Sequence, residues 1–112
     1  MEEIKILSFA KINLSIDVTG ITEDGMHTVD MIMHQISFHD DVKVRFISDH
    51  TKNRGDIDIK VSTNRYYLPV DERNLAYKAA ALTSSLYADK VPGGRVEIDI
   101  FKRIPVAAGL AG

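Results

Sequence analysis

Cysteine is absent from the 112 residues of the chain. Its absence excludes disulfides, thiolate catalysis and Cys-based zinc sites, and makes a reducing cytoplasm the expected home. A basic excess is also lacking, since 14 Lys plus Arg stand against 16 Asp plus Glu and the pI is near 6.0. Binding to a phosphate backbone usually needs that excess, so nucleic acid is not an expected partner. No apolar run reaches the roughly 18 residues that suggest a membrane span. The start, Met1-Glu2-Glu3-Ile4, lacks the basic and apolar regions of a signal peptide, so a membrane is not expected either. Internal repeats and low-complexity tracts are missing as well. What remains is an ordinary globular composition, 45% hydrophobic and 27% charged with few aromatics, which allows one packed domain.

The order of elements follows from periodicity and turn signals. Residues 4–9 are apolar and β-prone, and Ile12, Leu14, Ile16 and Val18 then alternate with Lys11, Asn13, Ser15 and Asp17, which predicts a half-buried strand. Thr22-Glu23-Asp24-Gly25 carries an Asp-Gly turn, after which residues 29–38 return as the hairpin partner. Asp40-Asp41 reads as punctuation before a further strand through Val42, Val44 and Phe46. A polar turn at residues 51–55 precedes another strand through Ile57, Ile59 and Val61. Asn74 is a suitable N-cap for a helix whose Leu75, Ala79, Leu82 and Leu86 fall at helical spacings. Pro92-Gly93-Gly94 stops it, and Val96, Ile98 and Ile100 form a last strand. About five strands, a helix, a strand and a loop predict an α+β fold, a mostly antiparallel sheet with one crossover helix.

Three places could carry chemistry. The alternation puts Lys11 and Asn13 on one strand face, where they either hold an anion or polar ligand or belong to a solvated sheet face. His27 follows a tight turn at a loop end, a common place for ligand groups and equally for solvated side chains. The four histidines, His27, His34, His39 and His50, lack metal-site spacing, so no metal is assigned to them. In the terminal loop, Gly109 and Gly112 are free to take positive φ and expose successive amides that can wrap an anion, phosphate being the natural one. The alternative is close backbone packing. The loop matches neither the Walker motif nor the dinucleotide fingerprint.

Four segments carry a resemblance: Ala10-Lys11-Ile12-Asn13-Leu14, Asp24-Gly25-Met26-His27, Asn74-Leu75-Ala76-Tyr77-Lys78-Ala79-Ala80, and Lys102-Arg103-Ile104-Pro105-Val106-Ala107-Ala108-Gly109-Leu110-Ala111-Gly112. In order and spacing they resemble the superfamily of galactokinase, homoserine kinase, mevalonate kinase and phosphomevalonate kinase (GHMP kinases). Within it, they resemble the branch acting on a cytidine diphosphate-linked methylerythritol. The resemblance covers nearly the whole chain. It implies the N-terminal ATP-binding domain of that superfamily, a fold shared with a ribosomal protein, interrupted at the phosphate loop and without the C-terminal domain.

It also implies ATP-dependent, Mg2+-assisted phosphorylation of the substrate's 2-hydroxyl, in non-mevalonate isoprenoid synthesis. Lys11 would be the catalytic lysine, stabilising charge at the accepting hydroxyl. Asn13, Met26 and His27 would hold this small-molecule substrate, His27 at the cytosine edge. Asn74 and Lys102 would approach the nucleotide, Asn74 being equally well a plain helix cap. Pro105, Val106, Ala107, Ala108, Gly109, Leu110, Ala111 and Gly112 would begin the ATP phosphate loop. Members usually carry a tyrosine at Met26 whose ring stacks on the cytosine, and a methionine covers a base face less specifically. A different acceptor and a non-catalytic binding module therefore stand as alternatives. The family's catalytic aspartate lies downstream of its loop, so these residues alone are not expected to turn over.

Overall fold

The structure is a computed structural model. It describes residues 2–107, 110 and 111, all but Ser15, Ile16, Asp30 and Met31 with their side chains. The elements run β1 (Glu2–Ile21), β2 (His27–Ser48), β3 (Ile57–Thr63), α1 (Leu75–Leu86) and β4 (Gly94–Phe101). They make a four-stranded sheet in the order β1-β2-β4-β3. β2 pairs with β4 antiparallel, whereas β3 and β4 run parallel, joined by a crossover through α1. The α+β architecture agrees with the expectation, but the strand count does not. Residues 4–9 and 12–18 are one strand, and so are residues 29–38 and 42–46. Ala10-Lys11 and Asp40-Asp41 include neither glycine nor proline, and a polar residue alone does not break a strand.

Two compact units divide the chain, residues 1–7 with 41–102 and residues 8–40 with 103–112. In the first, the register stacks Ile59 beside Val96 beside Phe46, and Val61 beside Ile98 beside Val44. Val61 and Ile98 are both buried and form the centre of its core. The opposite face alternates in charge. There Arg45 donates to Glu97 at 3.0 Å and to Asp99 at 2.9 Å, and Arg95 pairs with Glu97 at 2.9 Å. Helix α1 lies against β3 and β4.

The helix turns a different face inward from the one its leucines suggest. Ala76, Tyr77, Ala80, Ala81 and Ser84 are half-buried, while Leu75, Leu82 and Leu86 are 76%, 61% and 67% exposed. Small side chains on the inner stripe let the helix backbone approach the sheet closely, and the leucine stripe is left outward.

In the second unit, the two hairpin strands meet through a turn in which Thr22 N–H donates to the Met26 carbonyl at 2.6 Å and Gly25 has φ 83. The expected Asp-Gly turn is therefore present, and the left-handed conformation at its tip is the one glycine adopts without cost. Ala10 and Ile104 are the buried apolar residues of this unit, whereas Leu14, Val18, Ile21 and Ile32 on the hairpin are all more than half exposed.

Candidate functional site

Lys11 and the terminal loop meet in the second unit. β1 continues through Lys11 as an unbroken strand, and the Lys11 amide donates to the Leu110 carbonyl at 2.8 Å. One strand thus carries the lysine and clasps the loop. Strand alternation places Asn13 on the same face as Lys11, exposed to solvent.

The loop backbone is left-handed at Ala107 (φ 57) and Ala111 (φ 69). A side chain with a Cβ pays about 1–2 kcal/mol there, and such conformations persist where the surroundings hold them, often at ligand sites. In general, a left-handed residue beside a right-handed one turns successive N–H groups toward one point, as in an anion nest. The sequence points to Gly109 and Gly112 for positive φ. Those two, with Ala108, lie outside the described residues, and alanines take the conformation in the described ones.

Met26 and His27 stand at the hairpin tip, both exposed. The Thr22 hydroxyl and then the Met26 amide hold the Asp24 carboxyl below its ordinary range, which keeps an acceptor in place to fix the turn. The turn sets where Met26 and His27 leave the backbone. Among the described residues, no three His, Asp or Glu side chains converge as a metal site would require.

Asn74 and Lys102 belong to the first unit. Asn74 is extended (φ -79, ψ 135), and its Oδ1 accepts from the Ala76 amide at 2.8 Å while its Nδ2 donates to the Pro69 carbonyl at 2.9 Å. Its side-chain oxygen thus caps α1, and its side-chain nitrogen ties the cap to the segment before it. Asn74→Ala is expected to cost about 1–2 kcal/mol through the lost cap, read as a lower urea midpoint at unchanged slope.

Just upstream, the Arg73 guanidinium donates to both Asp71 oxygens at 2.9 Å and brings that carboxyl down to about 2. A folded-state pKa below the ordinary 3.8 gives a contribution present above that value and lost as pH falls toward 2. An Asp71 carboxyl titration by NMR is expected to show its midpoint near 2. Arg73→Gln is expected to return it toward 3.8, and an unmoved midpoint would contradict the pairing.

Lys102 is buried, and Asn64 brackets its backbone, accepting from the Lys102 amide at 2.7 Å and donating to the Lys102 carbonyl at 3.2 Å. Sequence reasoning missed Asn64, because a lone Asn after a strand carries no signal of the distant segment it holds. A depression in the same unit is lined by Glu2, Phe46, Ser48, Lys90, Val91 and Pro92, none of them an expected site residue.

No family model matches the chain. A 4-diphosphocytidyl-2-C-methyl-D-erythritol kinase of Clostridium novyi is 48% identical to it over 105 residues, 94% of this chain and 34% of the relative. Other curated relatives that this chain matches carry the same name. The kinase of Clostridium tetani is 44% identical over 108 residues, 96% of this chain and 35% of the relative. A crystal structure of 4-(cytidine 5'-diphospho)-2C-methyl-D-erythritol kinase superposes with a TM-score of 0.70 at 30% identity, over 96% of this chain and 34% of that one. The chain therefore spans about a third of the length of the kinases it matches. Among the described residues no helix is long and apolar enough to cross a membrane.

Proposed function

We propose that the chain is the N-terminal part of a 4-diphosphocytidyl-2-C-methyl-D-erythritol kinase, which transfers the γ-phosphoryl group of ATP to the 2-hydroxyl of its cytidine diphosphate-linked substrate. Its residues form an incomplete ATP-binding domain, and the C-terminal domain comes from further chain. The observation that carries the reading is the clasp between Lys11 and Leu110, which sets a lysine-bearing strand beside a loop with left-handed alanines.

Phosphoryl transfer is catalysed mainly by positioning and by stabilising charge, and these two elements contribute to both. Lys11 faces the accepting hydroxyl and offsets the charge that develops there. The backbone amides that follow Pro105, Val106 and Ala107 first among them, wrap the phosphates of ATP. Asn13, Met26 and His27 hold the acceptor, the methionine lying on the cytosine face. Asn74 and Lys102 serve the nucleotide. Mg2+ would be held chiefly by the phosphates of ATP and by water, with one or two carboxylates, and would neutralise charge on those phosphates. The cytoplasm is the corresponding compartment.

A titration of the 15N-labelled chain tests the reading. ATP is expected to shift the Lys11, Val106, Ala107, Leu110 and Ala111 amides, and adenosine is expected to leave them in place. Loop amides unmoved by millimolar ATP would overturn it.

A further inference from the structure

The root of the loop is held by side chains rather than by the sheet. β4 ends at Phe101, and the next three amides all donate to side-chain oxygens. In the first unit the Lys102 amide donates to Asn64. In the second, the Arg103 and Ile104 amides converge on one oxygen, Asp40 Oδ1, at 2.6 and 2.8 Å. Asp40 is 2% exposed and Ile104 is also 2% exposed. A carboxylate is buried at high cost unless hydrogen bonds satisfy it, and bonds from amides to an ionised oxygen are among the strong ones. Two consecutive amides can share one acceptor only if the chain bends between them. Asp40 therefore imposes a bend one residue before Pro105, and buried Ile104 locks it.

We propose that Asp40 is a positioning residue that sets the conformation of the loop where it begins, at Pro105, Val106 and Ala107. It works through the Arg103 and Ile104 amides, while the Lys11 clasp holds the loop at Leu110. The link from this conformation to phosphate binding rests on the function proposed above.

The test compares Asp40→Ala and Asp40→Asn by amide hydrogen exchange and by binding of ATP and adenosine. In Asp40→Ala, exchange is expected to accelerate by about tenfold or more at Arg103, Ile104, Ala107 and Leu110, with the hairpin amides of residues 12–21 unchanged. Its ATP affinity is expected to fall by about tenfold, with adenosine binding untouched. Asp40→Asn keeps an oxygen acceptor and is expected to restore most of both. Equal exchange in the loop overturns the proposal, and so does acceleration shared with the hairpin, which would make Asp40 a general stabiliser. If the parent chain shows no ATP response, the phosphate-loop reading fails and the exchange data alone decide the role of Asp40.

Discussion

Gly94→Val is expected to remove the cooperative melt of the first unit or lower its Tm by about 15 °C or more, a loss of about 3–5 kcal/mol. Gly94 opens β4 between two partners, opposite Ser48 of β2 and beside Ile57 of β3, and its own amide donates to the Asp56 carbonyl at 3.0 Å. A Cβ built there overlaps the Ile47 carbonyl oxygen and comes within 3.0 Å of the Ser48 Cα. The obstacle is backbone on a paired strand, so no rotamer relieves it. Valine can be accommodated only by parting β2 from β4 at the edge of the Val96 and Phe46 row. Thermal unfolding followed by circular dichroism reads this directly, and an unchanged Tm would contradict the strand spacing described.

Lys11→Met is expected to have the largest effect on activity. The measurement needs a complete kinase, which a chimera supplies by replacing the matching third of the Clostridium novyi enzyme with this chain. Losing a positioned cation at a phosphoryl-transfer site costs about 100- to 1,000-fold in kcat. Methionine preserves most of the aliphatic stem, and the clasp to Leu110 uses the backbone of residue 11, which the substitution keeps. The KM for ATP is therefore expected to stay within about threefold, the signature of an interaction made chiefly in the transition state. A rise in KM with kcat unchanged would place Lys11 in ground-state binding instead.

Much of the sheet is legible in the sequence because period-two alternation reports a strand with unlike faces. Ile57, Ile59 and Val61 against Asp58 and Lys60 is such a case, and so is Val96, Ile98 and Ile100 against Glu97 and Asp99. Strand ends are less legible. Asp40-Asp41 resembles a break because acidic pairs favour turns, yet Asp40 stays in β2 with its carboxylate spent on amides 63 and 64 positions away. A partner that far along the chain leaves no local signal. The inner face of α1 was obscured for a related reason. Its outward Leu75, Leu82 and Leu86 are more hydrophobic than the inward Ala76, Ala80 and Ala81, so hydrophobicity alone selects the wrong stripe.

The candidate site divides along the same line. Motif spacing leads to Lys11, the hairpin tip and the loop as segments. It does not reveal that Leu110 is bonded to the Lys11 backbone, that alanines take the left-handed turns, or that Asn64 and Asp40 hold the loop's root. Each of these depends on tertiary pairing. The recurring theme is that side chains expected to do chemistry stand among others whose work is to hold backbone in place.

In the proposed function these residues supply the acceptor-side lysine and the start of the phosphate loop to a 4-diphosphocytidyl-2-C-methyl-D-erythritol kinase. The most direct measurement is ATP-dependent phosphorylation of 4-diphosphocytidyl-2-C-methyl-D-erythritol by the chimera with the Clostridium novyi enzyme. Phosphorylated product is expected at a rate within about tenfold of the parent kinase. A chimera that folds and binds ATP yet forms no product, beside an active parent, would contradict it.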